Sequence, residues 1–277
     1  MKKKYLVPLL KTEQLAPGAF LQTYDQPEIA ASARPGQFVN ILPSASTDPL
    51  LRRPFSICTT DRDRGHFTVL IKVIGPGTRA IVDTRNGSQV DMLAPLGLSF
   101  DWEAGGAVAE PGDKGEREKM ILVAGGVGVA PLLMLCEEAR AETDEKAKGD
   151  PPEIIFCYGA RTAEEFVLLN RIEPLVDKLV LTTDDGSRGT KEFCTQAAER
   201  HFSPGCRIFT CGPNPMMNDL LTRMRAADLE GQVSLENQMG CGIGACLGCV
   251  VTTREGYVRI CCDGPVLKTK VLDSIGW

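Results

Sequence analysis

Two textures of apolar and polar residues divide the chain. Up to about residue 100, apolar residues come in short runs or alternate with polar ones, broken at short intervals by Gly, Pro and Asp. Segments 5–10, 37–42, 55–59, 66–73 and 89–93 read as strands, with one short helical period near 77–84. Strands at this spacing with turn residues between them predict a small antiparallel β-barrel. From Met120 the runs lengthen. Segments 120–124, 154–158, 179–183 and 207–211 are continuous apolar strands, and helical patterns fill 129–142, 163–175, 189–201 and 213–228. That alternation predicts a parallel sheet with helices on both faces, an α/β nucleotide-binding unit. Between the two lies 101–119, rich in Gly, Ala, Glu and Lys, which reads as a connecting segment bulging into solvent. The pattern divides the chain at 1–102, 103–230 and 231–277.

Composition narrows the partners. With 277 residues and 43% hydrophobic content, the chain can bury two packed domains and a small appendage. A net charge of −5 and the lack of any Lys/Arg cluster exclude nucleic acid. The apolar run after Lys2, Lys3 and Lys4 is short, contains Pro8 and meets Lys11 and Glu13, so it reads as a first strand and not as a signal peptide. No apolar stretch has the length to span a bilayer. Eleven cysteines without an export signal predict a reducing, cytoplasmic setting.

The third segment carries the sharpest chemistry. Cys241, Cys246 and Cys249 follow the C-x4-C-x2-C spacing of a plant-type [2Fe–2S] loop, and Cys261 and Cys262 follow. Gly240, Gly242, Gly244 and Gly248 are interleaved with them. Glycine lets backbone N–H groups approach and point at a negatively charged cluster. The alternatives are a zinc site or buried thiols, but zinc sites favour two separate C-x2-C knuckles and only one is present. If 257–261 is a strand, Cys261 and Cys262 point to opposite sides and only one faces the cluster.

Two further sites are phosphate-binding in character. Arg53, Pro54, Phe55 and Ser56 enter a strand. An arginine and a serine there can clamp a diphosphate if the strand start is bulged, and Phe55 offers a flat apolar surface. Downstream, Gly75-Pro76-Gly77-Thr78 reads as a turn and a helix start capped by Thr78, able to meet the same diphosphate. In the second segment, Gly125, Gly126 and Gly128 form a glycine turn between strand and helix, with Pro131 in the first helical turn. Arg161 ends the next strand where a ribose-binding acid is usual, which leaves NAD against NADP open. Cys211 and Gly212 close another strand at the same sheet edge. Cys211 is a candidate for the nicotinamide–flavin contact, with a buried structural thiol as the alternative.

A nicotinamide site, a flavin site and a cluster in one chain make an electron conduit. Nicotinamide delivers electrons in pairs, the cluster takes them singly, and a flavin converts one into the other. The motifs at 53–56, 75–78, 125–131 and 211–213 occur in the order of the ferredoxin–NADP reductase superfamily. The tail at 239–250, with Cys261-Cys262-Asp263-Gly264-Pro265-Val266, resembles one branch of it: the electron-transfer subunit of bacterial NAD-dependent dihydroorotate dehydrogenase.

The resemblance implies that FAD lies along residues 53–56, Leu70, Ile71, Lys72, Gly77 and Thr78. It implies that Cys241, Cys246, Cys249 and Cys261 ligate the cluster, with Asp263-Gly264-Pro265 two positions on selecting Cys261 over Cys262. It also implies NAD as cofactor and an FMN-containing catalytic subunit as partner, in a heterotetramer of two of each chain. Electrons would then run from dihydroorotate through FMN, cluster and FAD to NAD+, in the pathway to UMP. Two other readings compete: a subunit of a ferredoxin:NADP or sulfide oxidoreductase, and a regulatory protein with a structural zinc.

Overall fold

The computed structural model describes residues 3–44, 48–102, 118–146 and 151–275. Six strands close the first barrel: β1 (Lys3–Ala16), β2 (Ala19–Asp25), β3 (Phe38–Ile41), β4 (Arg53–Asp61), β5 (His66–Lys72) and β6 (Gln89–Leu96), in the order β1-β2-β5-β4-β3-β6. Two short helices, α1 (Pro27–Ser32) and α2 (Pro76–Val82), connect them. The period of two is plain in β6, where Val90, Met92, Ala94 and Leu96 are buried and the residues between them are not. Val7, Leu9, Tyr24, Val39, Ile41, Ile57, Phe67, Val69 and Ile71 fill the barrel with Met92, each large side chain contributing about 1.5–3 kcal/mol. Strand β2 is one that periodicity passed over. It pairs back on β1 through a turn at Gly18, whose φ of 72° suits glycine.

The second sheet holds β7 (Lys119–Gly125), β8 (Glu153–Ala160), β9 (Lys178–Thr183), β10 (Arg207–Cys211), β11 (Gly231–Ser234) and β14 (Val266–Lys268), in the order β14-β11-β10-β7-β8-β9. Five strands run parallel and β14 antiparallel, so the sheet is mixed at one edge. Helix α3 (Val129–Lys146) covers one face, placing Leu132, Leu133 and Cys136 against Leu122 and Phe156. On the other face α5 (Cys194–Glu199) and α6 (Asn214–Ala226) place Ala198, Leu220 and Met224 against Ile121, Val123 and Cys157. The helices expected over 163–175 and 189–201 are much shorter. The first breaks into single turns around α4 (Leu169–Ile172), and the second reduces to α5. Pro174 and Gly189 interrupt the backbone pattern there.

Beyond β11, the hairpin β12 (Val250–Thr253) and β13 (Gly256–Arg259) leads to the helical turn α7 (Ile260–Asp263). The expected strand over 257–261 therefore stops short, and Cys261 and Cys262 lie on a helical turn. The connector expected to bulge at 101–119 falls largely outside the described residues.

The barrel and the sheet are clamped by Glu138 of α3, which meets Arg34 at 2.8 Å and Arg62 at 3.0 Å, both from the barrel. The tail closes the same seam. Leu98 N donates to Gly264 O, and a Cβ at Gly97 would collide with Pro265.

Candidate functional site

Strand order reverses at β7. The chain runs outward through β8 and β9, then returns to β10 on the other side of β7. Such a reversal opens a crevice at the carboxyl ends of the two diverging strands. Both glycine turns stand there. A Cβ at Gly128 would strike the carbonyl of Cys211, and one at Gly212 would come 2.6 Å from Met216 Cε. Glycine is thus required for the turns after β7 and β10 to nest. Gly126, at φ 55°, faces open space, and its carbonyl accepts a hydrogen bond from the Tyr158 hydroxyl at 3.1 Å. A glycine turn leading from a strand into a helix is the kind of site that admits a pyrophosphate.

From this crevice a cleft of roughly 570 Å³ extends across the barrel. Arg53, Pro54, Phe55, Ser56, Leu70, Lys72 and Thr78 line the barrel side, and Val127, Ala130, Gly212 and Pro213 line the sheet side. Arg53 and Ser56 share the cleft without the expected bulge. The pairing of β4 with β3 is regular from Arg53 to Ser56, and the irregularity comes later, between Ile57 and Thr59. Gly77 closes against Arg53, since an added Cβ would stand 2.8 Å from the guanidinium. The two motifs therefore meet at one place.

Three of the expected site residues, Thr78, Ile71 and Cys211, are buried. Thr78 is the third residue of α2 and caps the helix start from there, its hydroxyl accepting from Gly75 N at 3.2 Å. Its hydroxyl accepts from Ile74 N at 2.9 Å, tying the helix to the turn before it. Ile71 is fully buried in the barrel core, so its side chain does not face the cleft. Cys211 packs within the main sheet core behind the glycine turn, and burial pushes its thiol well above the ordinary range. Arg161 is engaged by Glu165, with Nε 3.0 Å from Oε1. Lys72 approaches the same carboxylate at 3.5 Å.

The far wall is one that motif reasoning missed. Ser234, Leu235, Glu236, Asn237, Gln238 and Met239 run from the end of β11 along the cleft to the cysteine loop. Their position at the carboxyl end of a sheet strand was the available signal. Glu236 lines the cleft, and the protein surrounding it there raises its carboxyl above the usual range. Phe38 and Met239 line the cleft and also belong to the apolar cluster that holds Cys249 and Cys261. Cleft and cysteine loop therefore share a wall.

The loop itself is a cradle of N–H groups aimed at sulfur. Cys241 Sγ accepts from Ile243 N and Cys246 N at 3.4 Å, Cys246 Sγ from Gly248 N at 3.5 Å, and Cys249 Sγ from Cys261 N at 3.4 Å. Burial disfavours ionisation of Cys241, but these N–H groups outweigh it and bring the thiol down to about 6. Among the described residues no three ligating side chains meet around one ion-sized point. The thiols stand instead as Cys241 beside Cys246, and Cys261 beside both Cys249 and Cys262. Four thiolates, two to an iron, are what a [2Fe–2S] cluster takes, and the residues fit that group. Cys262 Sγ lies 3.6 Å from Cys261 Sγ and packs against Gly244.

Comparison with known proteins agrees with this geometry. Residues 236–273 match the iron-sulfur cluster binding domain of dihydroorotate dehydrogenase B, and residues 122–221 match the oxidoreductase NAD-binding domain. The chain is 34% identical to the dihydroorotate dehydrogenase B (NAD(+)) electron transfer subunit of Desulforamulus reducens, covering 97% of this chain and 98% of the relative. It is 37% identical to the same subunit from Lysinibacillus sphaericus over 86% of this chain and 87% of that one. Among solved structures, an NADH-dependent reduced ferredoxin-NADP oxidoreductase superimposes with a TM-score of 0.79 at 27% identity, covering 97% of this chain and 90% of that one. The ferredoxin reductase of carbazole 1,9a-dioxygenase shares the fold, with a TM-score of 0.65 at 20% identity over 82% of this chain and 67% of that one.

Proposed function

We infer the role of this chain from the family it belongs to, the electron transfer subunits of dihydroorotate dehydrogenase B (NAD(+)). It is an oxidoreductase subunit that passes electrons to NAD+ on behalf of a separate catalytic subunit, where dihydroorotate is oxidised. A bound flavin supplies the exchange between paired and single electrons that links a nicotinamide to a [2Fe–2S] centre. The observation that carries the reading is the shared wall: Phe38 and Met239 border the cleft on one side and pack with Cys249 and Cys261 on the other.

Each part of the chain then has a task. Arg53, Ser56 and the turn at Gly77 and Thr78 hold the FAD diphosphate, with Pro54, Phe55, Leu70, Lys72 and the backbone at Ile71 along the cofactor. Gly125, Gly126, Gly128 and Gly212 admit the NAD pyrophosphate to the crevice. Cys211 supports the turn from behind. Cys241, Cys246, Cys249 and Cys261 hold the cluster. Segments 1–102, 103–230 and 231–277 serve flavin, nicotinamide and cluster in turn, with β11 and β14 of the last segment joined to the sheet of the second. The partner carries FMN, the complex contains two of each chain, and it works in the cytoplasm in the synthesis of UMP. Among the described residues no helix is long and apolar enough to cross a membrane.

The test is anaerobic co-purification with the catalytic subunit, followed by flavin, iron and sulfide analysis and an assay of dihydroorotate-dependent NAD+ reduction. The expected result is FAD and two irons per chain, with NADH formed only when both subunits are present. Isolated material holding neither flavin nor iron with sulfide would overturn the reading.

A further inference from the structure

Asn40 is the one described asparagine whose side chain is left with both polar atoms buried and unpaired. It has no exposed surface. A carboxamide in that state costs about 1–3 kcal/mol, so a native position that keeps one calls for a partner outside the protein's own groups, an acceptor in the case of Nδ2. Its direction is set by the strand. Val39 and Ile41 of β3 point into the barrel core, so the alternation turns Phe38 and Asn40 outward. Phe38 packs on that outer face in the cluster containing Cys249 and Cys261. Asn40 meets the cysteine loop directly, with Nδ2 2.5 Å from where a Cβ would stand on Gly242, the neighbour of Cys241. Gly242 has a φ of 71°, so glycine there serves both the turn and the close approach of the amide.

We propose that Asn40 is a positioning residue for the iron–sulfur centre: its Nδ2–H group donates to the sulfur edge beside Cys241, adding a donor from the flavin barrel to the backbone cradle of the loop. The assignment rests on the proposed function, in which the loop holds a [2Fe–2S] cluster. The chemistry is that of a neutral donor facing negatively charged sulfur. Such a donor favours the more negative, reduced form and raises the potential. Its location also makes the barrel part of the cluster's surroundings, so seating of the loop depends on the flavin-binding unit.

The experiment uses the complete complex, prepared anaerobically, in wild-type form and as Asn40→Leu. The leucine variant is expected to keep FAD and cluster, and to lower the cluster midpoint by about 59 mV, one tenfold step in a one-electron equilibrium. Electron–nuclear double resonance of the reduced wild-type protein, labelled with 15N in asparagine side chains, is expected to show coupling to a nitrogen and an exchangeable proton that the variant lacks. Should the leucine variant not fold, Asn40→Asp keeps the shape and removes the same nitrogen coupling. Unchanged potential and unchanged couplings in a variant that retains its cluster overturn the role of Asn40 and leave the proposed function standing. Wild-type protein without iron and sulfide overturns both.

Discussion

The guanidinium of Arg53 rests on the α-carbon of Gly77. A methyl group at Gly77 would lie 2.8 Å from both Nε and Nη2, closer than carbon and nitrogen tolerate. A strand entry and a helix start more than twenty positions apart are thereby brought into one corner, the candidate diphosphate site. Gly77→Ala is expected to push Arg53 out of that corner while the barrel stays folded. FAD binding should weaken at least tenfold, about 1.4 kcal/mol, as read by titrating apoprotein with FAD. Arg53→Ala should weaken it by a similar factor. Undiminished FAD retention in both would remove Arg53 from the diphosphate site.

The glycine turn after β7 separates packing from ligand access. At Gly128 a side chain collides with the Cys211 carbonyl, so Gly128→Ala should cost about 2–3 kcal/mol of stability and lower the unfolding midpoint in urea. Gly126 has open space around it, and its φ of 55° is the only obstacle. Gly126→Ala should cost about 1 kcal/mol, with a fold intact by circular dichroism but NADH affinity reduced several-fold. Equal destabilisation by the two substitutions would contradict the nested-turn geometry.

The cysteine loop predicts an asymmetry between neighbours. Cys246→Ser is expected to abolish the cluster, because Cys246 lies beside Cys241 in the loop, its backbone N 3.4 Å from Cys241 Sγ. Cys261→Ser should do the same, since Cys261 is fully buried beside Cys249. Cys262→Ser should leave iron and sulfide content within about twofold of wild type, as only four thiolates are needed. Iron, sulfide and the reduced-state resonance spectrum check all three. Cluster loss only on substitution of Cys262 would reverse the choice of fourth ligand.

A triad of charges at the barrel rim sets part of the acid stability. Arg52 Nη2 meets Asp91 Oδ1 at 2.7 Å, and Lys4 Nζ meets Oδ2 at 3.0 Å. Burial of Asp91 works to raise its carboxyl, but Arg52 and Lys4 prevail and hold it below the ordinary range. A carboxyl so depressed stabilises the native state fully above the unfolded value, about pH 3.9. That contribution is lost as pH falls through the lower native value. Asp91→Asn should therefore cost about 1 kcal/mol at pH 7 and lose less than wild type between pH 4 and pH 2. Parallel acid-unfolding curves for the two proteins would count against the triad.

Chemistry that depends on spacing along the chain is legible in the order of residues itself. Cys241, Cys246 and Cys249 lie within nine positions, so one loop brings them together whatever surrounds it. The same holds for the turn at Gly125 to Gly128 and for the alternation in β6, where local backbone geometry alone aligns the groups. Contacts between distant segments are not legible in this way. Nothing in the periodicity of 231–277 says that β11 and β14 extend the nucleotide-binding sheet, because a short edge strand is defined by the partner it finds. Phe38 behind Cys249, Gly77 under Arg53 and Gly242 against Asn40 are likewise meetings of faces that local sequence leaves unspecified. Spacing determined which groups stand as candidates for iron, phosphate and nicotinamide. Packing alone decided that they share walls, because burying the outer face of β3 and the end of β11 required the cysteine loop to close over both.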